Sequence, residues 1–129
     1  MTDEVGRLAR ATTRAFEPVL ALGFRVVPGP AGGRGESVDV IGDQITISVS
    51  ADWLEGELSV HLQAFGGVPV PLASLVNPGQ VSGLHLRRLS RSITAGQMES
   101  TLGKVADLLV TQASDVLAGT ADGLARLGM

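Results

Sequence analysis

The chain has 129 residues, no cysteine, no tyrosine and a formal net charge of −3. A domain of this size buries about two thirds of its unfolded surface and needs no disulfide or metal to fold, so a single domain spanning 1–129 is expected. The missing cysteine excludes thiol catalysis and every Cys-based zinc site. The first residues, MTDEVGRLAR, lack the apolar core of a secretory signal, and no uncharged apolar run reaches the roughly 20 residues that cross a bilayer. A cytoplasmic protein without membrane contact is the expectation.

The charge is unevenly placed. Residues 37–66 carry Asp39, Asp43, Asp52, Glu55 and Glu57 and no lysine or arginine, whereas residues 67–91 carry only Arg87, Arg88 and Arg91. An acidic strand region repels phosphate, so nucleic acid is not an expected partner.

In chain order, Thr2 is placed to cap a helix, with Asp3 and Glu4 favourable in its first turn. Val5, Leu8, Thr12, Ala15, Phe16, Val19 and Leu20 recur at helical spacing and predict a helix over about 3–21. Pro18 should kink or restart it, and Gly23 should end it. The stretch 24–27 reads as a short strand, and PGPAGGRGE (28–36) as a loop without the lysine or spacing of a phosphate-binding loop.

Residues 38–60, VDVIGDQITISVSADWLEGELSV, alternate between apolar and polar. They predict antiparallel strands at 37–41, 44–50 and 57–65. Gly42-Asp43 is read as a two-residue turn with glycine first. That turn pairs Val40 with Ile45 and Val38 with Ile47. Ser50 opposite Glu57 then sets Ile47 against Val60 and Val49 against Leu58. Both registers place apolar on apolar. Pro69 and Pro71 confine 66–79 to a sheet margin, Asn77-Pro78-Gly79 reads as a turn, and 81–90 is ambiguous. Thr94 and Gln97 have capping-box spacing. Met98, Leu102, Val105, Leu109, Ala113 and Val116 form one stripe, which predicts a helix over about 95–118 ended by Gly119, with a further turn or two reaching Leu127. This order implies an α+β fold: an antiparallel meander with an N-terminal helix and a long C-terminal helix packed on one face.

The other face is polar. The assumed registers put Asp39, Thr46 and His61 in one row and Ser37, Ser48 and Ser59 in the next, with Glu57 and Gln63 beside them. Asp39 and His61 would lie about 10 Å apart, two strand spacings, which is too far for a catalytic triad. His61 and His85 lack partners at metal-ligand spacing, so neither a metal nor another cofactor is expected. The face is either solvated surface or a recognition surface. Trp53, with Leu54, sits at a hairpin tip among Asp52, Glu55 and Glu57. It is either a lid on the core or an exposed anchor of the type that dominates interfaces. The basic run HLRRLSR (85–91) either meets an acidic group or is a solvated flank.

LALGFRVV, the meander VDVIGDQITISVSADWLEGELSVHLQAF and VPVPLASLV together resemble small actinobacterial proteins, some of which look like immunity proteins of polymorphic toxin systems. The resemblance covers about residues 16–76. It implies a small, soluble, non-enzymatic binder that masks another protein, and the acidic segment suits a basic partner. The reading is therefore a protein-binding module, immunity-like or chaperone-like. Its partner-binding residues would be Asp39, Thr46, Ser48, Asp52, Trp53, Leu54, Glu55, Glu57, Ser59 and His61. The alternative is a homodimer through the C-terminal helix, with Leu108, Val110 and Leu117 as apolar surface beyond the stripe. A small-molecule binder or enzyme is less favoured, because no pocket with convergent polar groups is legible.

Overall fold

The computed structural model describes residues 6–32, 35–52, 57–83 and 95–128. Among the described residues, five strands form one antiparallel sheet in sequence order. They are β1 (Arg25–Ala31), β2 (Gly35–Ile41), β3 (Ile45–Asp52), β4 (Glu57–Ala64) and β5 (Val70–Pro71). Helices α1 (Arg7–Ala15) and α2 (Glu17–Leu20) precede the sheet. α3 (Pro78–Gly83), α4 (Ala95–Gln112), α5 (Ser114–Ala118) and α6 (Ala121–Arg126) follow it. The fold is α+β, with the N-terminal helix and the long α4 joined to one face of the sheet through a single hydrophobic cluster.

α1 starts at Arg7, later than the periodicity predicts, because Gly6 holds a left-handed φ of 83° that a helix cannot contain. Among the described residues no local side chain caps it. Instead Glu36 reaches over from β2. Its carboxylate accepts hydrogen bonds from the backbone N–H groups of Leu8 and Ala9, each at 3.0 Å. Glu36 is only 5% exposed. A buried carboxylate is tolerable where orphan N–H groups and the positive end of a helix meet it. Pro18 restarts the helix, in the first turn of α2, and Gly23 closes it with φ 102°. Thr2, Asp3, Glu4 and Val5 lie outside the described residues.

The loop expected at 28–36 is mostly strand. β1 runs on to Ala31 through a register irregularity after Pro28, and β2 begins at Gly35. Gly29 permits this, since a Cβ there would lie 2.6 Å from the Ser37 hydroxyl. Pro28 and Pro30 lie on this edge strand and Pro71 on the other, where missing N–H donors discourage pairing with further chains.

Both hairpin registers differ from expectation by two residues. The β2–β3 turn is Asp43-Gln44, closed by the Gly42 N–H bonding to the Ile45 carbonyl at 2.9 Å. Val40 therefore faces Ile47 and Val38 faces Val49. Gly42 is glycine for another reason: a Cβ would sit 2.7 Å from the Phe24 ring. In the second hairpin β3 continues through Ala51 and Asp52, with Ala51 buried against Leu58 and Asp52 opposite Glu57. Ile47 then faces Leu62 and Val49 faces Val60. A shift of two keeps side-chain parity, so the inward residues remain those expected.

Asn77-Pro78-Gly79 opens helix α3 rather than making an isolated turn, with the Asn77 side chain accepting from the Gly79 N–H at 2.9 Å. The C-terminal helix keeps its stripe, Met98 through Val116, fully buried. It breaks at Ala113, however, where φ is −133°. In an unbroken helix the Gln112 carbonyl would take the Val116 N–H. Here that N–H bonds to the Asp115 carboxylate at 2.9 Å, and Arg126 donates to the Gln112 carbonyl at 3.3 Å. Arg126 also pairs with Asp115 at 2.6 Å and donates to the Leu75 carbonyl, so α6 is clamped over the break. Gly119 ends α5 with φ 68°, and α6 follows to Arg126. Leu108 and Leu117 are 9% and 6% exposed, so of the apolar surface set aside for a twin helix only Val110 stays partly open. The Thr94 cap and most of 81–90 lie outside the described residues. No described helix is long and apolar enough to cross a membrane.

Candidate functional site: the open face of the sheet

Alternation delivers one set of β-strand side chains to the core and the other to the opposite face, over which no described element folds. The two register shifts are equal and cancel between β2 and β4. Asp39 and His61 therefore share a row as expected, but Ser48 stands between them in place of Thr46. Val27 and Pro71 complete that row on β1 and β5. Thr46 moves to a row with Ile41 and Gln63, and the serine row becomes Ser37, Ser50 and Ser59.

The central row is the most organised part of the face. The Ser48 hydroxyl donates to the Asp39 carboxylate at 3.1 Å. Asp39, Ser48 and His61 are each half-buried, and Ser59 and Glu57 are exposed. The order across the strands is Asp–Ser–His, with the serine proton committed to the carboxylate. In a nucleophilic triad the imidazole stands between the other two. What this row offers is a fixed acceptor, a hydroxyl lone pair and an imidazole in a line across three strands, suited to hydrogen-bonding a surface laid against it. Gln63 is tied down beside it by donating to the Gly67 carbonyl at 2.7 Å.

At the far end Asp52 and Glu57 stand directly opposite each other, two like charges at the root of the hairpin. Trp53, Leu54 and Glu55 lie outside the described residues. Of the expected partner-binding set, Asp39, Ser48 and His61 are thus brought together, Thr46 and Ser59 fall in the rows on either side, and Asp52 and Glu57 form a separate acidic pair. Among the described residues no three His, Asp or Glu side chains gather as around a metal ion.

Sequence reasoning missed a cavity of about 450 Å³ at the turn end of the sheet. It lies where the α2–β1 turn, the Asp43-Gln44 turn and the α4–α5 break meet, three segments with no local signal of their proximity. Comparison with protein-family models, with curated proteins and with solved structures finds no match to the chain.

Proposed function

We propose that this chain is a non-enzymatic protein-binding module, immunity-like or chaperone-like, that recognises a partner protein through the polar face of its sheet. The observation that carries the reading is the Asp39–Ser48–His61 row, organised by the Ser48–Asp39 hydrogen bond on a face without a described covering element. Flat surfaces with oriented donors and acceptors specify a partner, and acidic groups steer a basic one. Asp39, Asp52 and Glu57 supply that charge here. The proposed partner is therefore a protein with a basic docking surface.

Ser48→Arg/His61→Glu tests this by placing bulk and altered charge at the centre of the row. Both variant and wild type, tagged, are drawn through lysate of the source cell, and bound proteins are identified by mass. A basic protein held by wild type and lost from an equally stable variant is the expected result. Equal retention by both, or retention of nothing by either, overturns the proposal.

A further inference from the structure

We propose that the cavity at the turn end of the sheet is a ligand site for a small amphiphilic amine, an apolar body with a protonated nitrogen. The site is separate from the open face and does not depend on the function assigned to it. Its volume of about 450 Å³ falls within the range typical of small-molecule sites, roughly 300–1,000 Å³. Leu22, Phe24, Val110 and Leu117 line it. Leu22 is 59% exposed, so it forms the solvent-side wall of the cavity.

The polar groups around these walls are few and unengaged. The Asp43 carboxylate and the Ser114 hydroxyl both line the cavity, and neither makes a hydrogen bond or ion pair within the described chain. Among the described lining residues Asp43 is the only charged one, with no lysine, arginine or histidine beside it. An apolar hollow with a single negative charge at its rim favours a cation carrying a hydrocarbon tail and disfavours a fatty acid or phosphate. Ser114 would serve as a second acceptor for the ammonium protons.

The walls are built in advance. Gly42 lets the Phe24 ring press on the turn backbone, and Gly119 lies so near Gln44 that a Cβ would stand 2.6 Å from its side chain. The Phe65 N–H further fixes the turn by bonding to the Gln44 carbonyl at 3.2 Å. The break at Ala113 swings Ser114 and Leu117 into position as one wall.

The test is NMR titration of the isotope-labelled full chain with octylamine, 1-octanol and octanoate at neutral pH. Octylamine should give saturable shifts centred on Gly23, Gly42 and Ala118. Octanol should bind more weakly, and octanoate most weakly. Asp43→Asn should weaken octylamine about threefold, the scale of one exposed ion pair, and leave octanol unchanged. Ala118→Phe, a filling change at an exposed helix position, should remove binding of both. No saturable shift, shifts scattered away from the cavity, octanoate binding as well as octylamine, or octylamine indifferent to Asp43→Asn would each overturn the proposal.

Discussion

The two faces of this sheet are made by the same strands, residue by residue in alternation, yet they answer to different physics. On the covered face Val38, Val40, Ile45, Ile47, Val49, Leu58, Val60 and Leu62 are all nearly or wholly buried. Its polar exception, Glu36, is fully employed on two helix N–H groups. On the open face the three central strands carry mainly polar side chains, many of them half-buried, and Ser48 bonds sideways to Asp39. Stability is concentrated on the first face. On the second, little of the fold depends on which polar residues it carries.

The sharpest way to break this contrast is truncation at the centre of the covered face. Ile47→Ala removes a fully buried side chain and should cost about 3 kcal/mol in urea unfolding, the middle of the range for such cavities. Glu36→Gln comes next. It removes the charge from the start of α1 and turns an amide NH₂ toward one of two N–H donors. A loss of about 2 kcal/mol is expected, the scale of hydrogen bonds to charged groups. Thr12 sharpens the comparison with the opposite sign. Its hydroxyl is buried with no partner among the described residues, so Thr12→Val should hold or raise stability, by up to about 1 kcal/mol. The smallest effect belongs to the open face. Ser48→Ala should change unfolding by no more than about 0.5 kcal/mol while weakening partner capture.

Parity was the legible part of this sequence. Val38, Ile47 and Leu62 are inward under the expected and the observed registers alike, because a two-residue shift moves no side chain to the other face. Register was not legible, because glycine at position 42 has two possible uses. It suits a tight turn, and it also admits the Phe24 ring; only the tertiary contact decides. A signal for Glu36 was present and overlooked: it is in phase with Val38 and Val40, an acid on the inward side. The break at Ala113 had no local signal, since the residue that takes the Gln112 carbonyl, Arg126, lies 14 positions on. The cavity was hidden for the same reason.

The central claim is that one face of the sheet is closed and the other open. The chain contains no cysteine, so single thiols can report on each face. The most direct measurement is the rate at which a soluble maleimide modifies Ser48→Cys and Ile47→Cys, adjacent residues on opposite faces, in native buffer. The account predicts that Ser48→Cys reacts nearly as fast as a free thiol in solution, while Ile47→Cys reacts only as fast as the protein unfolds. Equal protection at both positions would contradict it, because the polar face would then lie beneath another segment or a second copy and could not be a surface for a partner.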